Sequence, residues 1–337
     1  MKKSLYITAL VLLFAITAYF VGRNVASPQA VEKKEATVLR AEKRKPAKLP
    51  EINLPELQYT MPAQDQLDEV VQKLVGFDKT LTPLQRNDMV WDLKKRNLRE
   101  EDFRAIYTFL KTNPETDGPE LAWHSLKNDL LVYAIADGRY KESTAQLMID
   151  IINDPEQHEV MREYTLQYTT DFFEKHWLIK ENQPRSLSKI DSQLKGAFLT
   201  TMWNMLDSQE GPIAGTSLIR LNDLSKSFPE ISQAELDKET ERMIKEDIVP
   251  NSSKMAALSV ASERKMHHLK DQIEAIIYDS SSIVTLRMSA LHTVSTMQPD
   301  EKFIERLSKE IINNQNADRL LKRAAEMAVK KLQKLRG

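Results

Sequence analysis

The six histidines are the first residues that could do chemistry, and none is spaced to do it. His267 and His268 are adjacent, so on a helix they diverge by about 100° and cannot share one ion. His124, His158, His176 and His292 show no ligand spacing, and no His-Glu-x-x-His occurs. The absence of cysteine excludes disulfides, thiolate nucleophiles and Cys-ligated zinc. Glycine-rich nucleotide loops and a Gly-x-Ser-x-Gly elbow are also missing. Ser252-Ser253 and Ser280-Ser281-Ser282 read as helix-start caps. Glu100-Glu101-Asp102 sit at a helix start, where the macrodipole favours acids. No residue is therefore assigned a catalytic, cofactor-binding or metal-binding role, and no cofactor is expected.

Residues suited to binding are easier to name. Trp123, Trp177 and Trp203 are either core anchors or ligand platforms. Trp177 lies in Lys175-His176-Trp177-Leu178, just before an irregular stretch from Trp177 to Ser188. It is expected to be an exposed binding aromatic, with His176 beside it. The last predicted helix carries Arg319, Lys322, Arg323, Lys330, Lys331, Lys334 and Arg336 against Asp318 and Glu326, a net of +5. A polar terminal cap explains such charge, and so does a docking site for an acidic partner. Arg323 and Lys330 are the expected contacts there.

Helices must position these residues. Ile152, Ile277 and Ile312 are each followed 13 residues later by Thr165, Ala290 and Ala325. Each isoleucine ends an apolar pair, and Asp154, Asp279 or Asn314 then marks a turn. The last two copies lie 35 residues apart, a helical-repeat period. Only 8 glycines occur in 337 residues, against an average near 7%, which disfavours a turn-dense β architecture. From Asp65 onward the 3.6-residue period dominates. Thr82-Pro83 reads as an N-cap with proline at N1. Helices are predicted over 98–110, 121–136, 143–152, 159–173, 190–206, 214–227, 234–245, 253–261, 269–278, 283–297, 301–312 and 318–335. No alternating strand is predicted. The small residue at +13 lets helices approach closely, and a following leucine fills the layer between them. Ser217-Leu218 and Ala257-Leu258 fit the same scheme less tidily.

Asp154-Pro155 followed by Val160-Met161-Arg162-Glu163-Tyr164-Thr165-Leu166 resembles the HEAT-repeat pattern. Val284-Thr285-Leu286-Arg287-Met288-Ser289-Ala290-Leu291 is similar without the proline. The resemblance covers roughly 140–178 and 213–336, with 64–139 degenerate. The period would also suit tetratricopeptide repeats, but their Trp-Leu-Gly-Tyr signature is absent. The HEAT and armadillo-like resemblance implies an all-α fold, an α-solenoid of stacked antiparallel helix pairs that binds proteins.

The N-terminus differs in kind. Residues 1–4 are a short tail with Lys2 and Lys3. Residues 5–22 are uncharged and would span roughly 27 Å as a helix, close to a hydrocarbon core of about 30 Å. Tyr6, Tyr19 and Phe20 sit near the ends of that run, where aromatic rings favour the interface. A transmembrane helix or signal-anchor is expected. A cleaved signal peptide is the alternative, but the site before Ser27 has asparagine at −3. Residues 23–63 hold Pro28, Pro46, Pro50, Pro55 and Pro62 in a polar background, and read as a flexible, disordered linker. Residues 64–337 are the expected HEAT-like domain.

Charge then limits function. Residues 1–22 carry +2, residues 23–63 carry +3 and the remainder carries −6. A nucleic-acid binder concentrates positive charge on its folded part, so no nucleic acid is expected. The positive N-terminus places the body outside the cytoplasm, in the periplasm for a bacterial cell, although Arg23, Lys33, Lys34 and Arg40 after the span pull the other way. The expected function is a membrane-tethered, non-enzymatic protein–protein interaction scaffold. The alternatives are a catalytic α-solenoid acting on an envelope substrate, and a self-associating structural envelope protein.

Overall fold

The computed structural model describes residues 59–112, 120–178, 187–297 and 300–336. The expected span over 5–22 and nearly all of the expected linker lie outside the described residues. No helix among the described residues is long and apolar enough to cross a membrane.

Among the described residues the fold is all-α, with no strand. Fifteen α-helices occur in order. They are α1 (Glu69–Val75), α2 (Pro83–Met89), α3 (Glu100–Lys111), α4 (Glu120–Asp137), α5 (Lys141–Asn153), α6 (Glu159–Gln167), α7 (Thr169–His176) and α8 (Lys189–Met205). Then come α9 (Ile213–Leu224), α10 (Gln233–Lys245), α11 (Asn251–Glu263), α12 (Lys270–Tyr278), α13 (Val284–Thr296), α14 (Glu301–Leu307) and α15 (Arg319–Arg336). A π-helical turn, Ser308–Ile312, extends α14.

Local chemistry sets these bounds. Gly76 closes α1 in the left-handed conformation, φ 97°, which glycine adopts without a Cβ penalty. Thr82 opens α2 through a capping box with Gln85, and Pro83 follows at the first turn. Ser188, Ser232 and Asp300 cap α8, α10 and α14. The predicted helix over 159–173 is two helices, because Tyr168 (φ −87°, ψ 1°) breaks it between α6 and α7. The Tyr168 hydroxyl donates to Asn128 Oδ1 at 3.0 Å, pinning the break to α4.

Two layers emerge from the packing. The second helices of successive pairs touch in an unbroken series α2, α4, α6, α9, α11, α13, α15. The first helices touch along α1, α3, α5, α8, and again from α10 to α12. Each first helix packs on its own second helix, the π-turn after α14 standing in the last pair. This is a repeat-like bundle of helix pairs compatible with an α-solenoid. The extra helix α7 rests on α6 and α9. One buried apolar cluster runs from Leu67 to Leu332. The body starts before the expected boundary at 63/64, since Tyr59 packs on that cluster and its hydroxyl donates to Asp150 Oδ2.

In the second layer, α9 and α11 approach closely. A Cβ on Gly215 would lie 2.8 Å from the Ser253 Cα and 2.8 Å from the Ala256 Cβ. By contrast, a Cβ on Gly196 in α8 would meet nothing within 4 Å. Gly215→Ala is therefore expected to destabilise by about 1–3 kcal/mol through overpacking. Gly196→Ala should stabilise by roughly 0.5–1 kcal/mol through helix propensity. Urea unfolding of the two variants checks both signs. Equal effects would refute the close approach at Gly215.

Candidate functional site

The 13-residue cadence has a definite geometry. Arg162, ten residues after Ile152, donates from Nε to the Ile152 carbonyl at 3.0 Å. Arg287, ten after Ile277, does the same to the Ile277 carbonyl at 2.9 Å. The turn residues accept in parallel: Asp154 from the Glu156 N–H, Asp279 from the Ser281 N–H and Asn314 from the Asn316 N–H, each at 2.9 Å. Thr165, Ala290 and Ala325 are wholly buried. For the Ala257-Leu258 copy, sequence reading left unnamed the two residues that complete it, Ile244 and Lys254, and all four side chains are buried. The signal was present, since Lys254 and Ala257 stand at +10 and +13 from Ile244.

Other helix ends are closed by cations from elsewhere. Lys127 donates to the carbonyls of Leu110 (3.2 Å) and Thr112 at the end of α3. Burial lowers the Lys127 ammonium to about 8. Arg242 donates to the Leu206 carbonyl at 3.0 Å. Lys175 reaches the carbonyls of Ile135 (3.3 Å) and Ala136 at the end of α4.

The expected binding aromatic is a correction. Trp177 is 2% exposed. Its indole sits edge-on to Phe172 (5.0 Å), Phe173 (4.7 Å) and Phe198 (6.1 Å). A large aromatic at the end of α7 is drawn inward because it fills the space where α7 interrupts the regular pairing. Its Nε1–H donates to Asp191 Oδ1 at 3.1 Å. Asp191 also accepts from Lys141 Nζ at 2.8 Å to each oxygen and from Ser188 Oγ at 2.8 Å. Burial raises the Asp191 carboxyl, but the hydrogen bonds from Lys141, Ser188 and Trp177 outweigh it and hold it below the usual range.

His176 is half-buried and turned to the same structural task. Its Nε2 lies 3.2 Å from the Ile135 carbonyl. A carbonyl only accepts, so the Nε2–H tautomer is required. The ring lies 4.7 Å from Phe172 and covers Gly138, where a Cβ would come within 2.9 Å of Cε1. Burial lowers the His176 pKa, keeping the ring neutral at pH 7. Arg323 and Lys330 are exposed on α15, which packs on α13 and the π-turn rather than on α7. The four expected partner residues thus fall in two separate places.

The remaining candidates serve the fold. Asp102 is buried and accepts from the Asp68 N–H (2.7 Å) and the Arg99 N–H (2.8 Å), joining α1 to α3. Ser253 Oγ accepts from the Gly215 N–H at 3.0 Å and Ser252 Oγ donates to the Gly211 carbonyl at 3.0 Å. Those serines clamp α9 to α11 instead of capping α11, which starts after Pro250 without a side-chain cap. Ser281 and Ser282 donate to Asp279 at 2.7 Å, and these bonds bring its carboxyl down to about 2. Among the described residues no group of three or more His, Asp or Glu could hold a metal. Among the described residues, one open cleft lies at the α14–α15 corner around Glu305 and Lys309 and another beside Arg264 and His268. Comparison with protein-family models, with curated proteins and with solved structures gives no match.

Asp191→Asn is expected to cost about 2 kcal/mol, because Lys141 then faces a neutral amide in a part-buried setting. The sign of the pH effect follows from the depressed folded-state pKa. The stabilisation is present above the unfolded Asp value near 3.9 and is lost as pH falls through the folded value. Wild-type and Asp191→Asn stabilities should therefore converge on acidification below about pH 4. A difference constant from pH 7 to pH 2 would show that Asp191 is not held ionised by this cluster.

Proposed function

We propose that this chain is a HEAT-like, non-enzymatic scaffold that binds protein partners while tethered to a membrane by residues 5–22. The observation that carries this reading is where the polar chemistry goes. The buried cations Arg162 and Lys127 and the half-buried His176 are aimed at backbone carbonyls of the stack's own helices. Groups occupied in that way hold a surface rigid and leave none of themselves poised to turn over a substrate. The two-layer pairing and the small-residue cadence support the HEAT-like reading, and stacked repeats of that kind present extended binding surfaces. The sequence of residues 5–22, with lysines before it and a proline-bearing linker after it, supports the tether and an extracytoplasmic body.

Two experiments test the two halves separately. The full-length protein should stay in the membrane pellet through alkaline carbonate extraction. Release into the supernatant would remove the tether. Co-purification in mild detergent should recover a protein partner in stoichiometric amount. Recovery of the chain alone under several extraction conditions would remove the scaffold.

A further inference from the structure

The terminal helix α15 departs from the helices it continues. Position by position, Leu320 and Met327 correspond to Thr285 and His292 of α13, 35 residues earlier. They also correspond to Ser252 and Ser259 of α11, 68 residues earlier. Of these, Ser259, Thr285 and His292 are polar and exposed, while Ser252 is half-buried and bonded to the Gly211 carbonyl. In α15 the corresponding positions are apolar and open to solvent, Leu320 at 62% and Met327 at 59% exposed. Seven residues apart, they lie on one line about 10.5 Å long down the helix. By helical projection Arg323, Lys330 and Lys334 flank one side of that line and Lys331 the other, all four exposed. None of these cations is ion-paired with a described carboxylate.

We propose that this face of α15 docks an acidic amphipathic helix of a partner protein, an inference that rests on the scaffold reading above. A narrow apolar ridge at heptad spacing, lined by one sign of charge, matches the seam-and-flank logic of paired helices. The matching partner carries apolar residues at the same spacing with Asp and Glu beside them. Other occupants fit less well. A lipid surface needs a broad apolar face, and the apolar side of α15 (Leu321, Ala325, Leu332) is already buried in the body. The chain's own residues 23–63 carry +3 and would be repelled. Stacking of another copy is opposed by Glu326, which is exposed where the earlier copies bury Leu166, Leu258 and Leu291.

The test places a photo-crosslinker on the ridge of the full-length, membrane-bound protein as Met327→p-benzoylphenylalanine. Irradiation and mass spectrometry should identify an adduct with a partner peptide whose heptad-spaced apolar residues are flanked by Asp and Glu. Adding Arg323→Glu and Lys330→Glu should cut the adduct about tenfold, with the thermal unfolding midpoint unchanged because both side chains are exposed. A lipid adduct, an adduct with another copy of the chain, a peptide without that pattern, no adduct, or a yield indifferent to the charge reversal would each overturn the proposal. The scaffold reading fails separately. If a stoichiometric partner still co-purifies with the Arg323→Glu, Lys330→Glu protein at full yield, the scaffold stands and the α15 site is refuted.

Discussion

Every α-helix ends with four carbonyls that no intrahelical N–H can reach. A stack of helix pairs makes that requirement severe, because the end of each first helix is covered by its own partner and by the next pair. The structure answers with a cation returned from the following helix. Arg162 closes Ile152, Arg287 closes Ile277, and Lys127 closes the end of α3 from α4. A positive group is the right donor there, since the helix C-terminus carries partial negative charge. The geometry also accounts for the cadence. The cation stands ten residues after the isoleucine, and the small residue stands three further on. Residues three apart share a helix face, so one face carries both the bond that closes the turn and the small side chain that admits the neighbouring helix.

That constraint decides what could be read from the chain. The cadence was legible because it writes the same residue types at the same offsets, and the paired helices over α12–α15 fall where periodicity puts them. Ala257-Leu258 shows the same small-residue step, but Ile244 and Lys254, 13 and 3 residues before Ala257, stand out only once position +10 is known to matter. The break at Tyr168 could not be read. Nothing local ends the helix there, since tyrosine tolerates helical geometry. What the sequence does not show is the contact at the break, the Tyr168 hydroxyl bonded to Asn128 of α4. Trp177 failed for a related reason. A tryptophan beside an irregular stretch has the same local sequence whether it faces solvent or plugs a joint. Only the positions of Phe172, Phe198 and Asp191 around it distinguish the two.

The joint at α7 shows how the stack absorbs an interruption. Between Thr165 and Ser217 the 13-residue register lapses, and α7 inserts between regular pairs. The carbonyls at the end of α4 are then closed by Lys175 and His176 from the inserted helix. The packing gap is filled by aromatic rings in place of the small-residue approach used elsewhere. Asp191 ties the end of α7 to the start of α5 and α8 through Trp177, Lys141 and Ser188. Burying a carboxylate this way contributes little net stability. It does, however, penalise any arrangement in which the three donors are not all present. The interruption is therefore a specified joint, and the conspicuous residues within it are structural.

Once the interior chemistry is accounted for, the surface is where the chain is uneven. Residues 64–317 carry 31 basic and 42 acidic side chains, a net of −11, while residues 318–337 carry +5. A terminal helix must shed apolar residues from the face that would otherwise receive another pair. α15 does so at Glu326, which stands where α6, α11 and α13 carry a buried leucine. Capping explains that substitution and part of the charge. It does not call for leucine and methionine at outward positions where α11 and α13 carry serine, threonine and histidine. A cap optimised only for solubility would keep those positions polar. Glu326 and the apolar ridge thus lie on different faces of one helix: one face puts a charge where α6, α11 and α13 bury a leucine, and the outward face keeps a shape and charge that the rest of the body does not use.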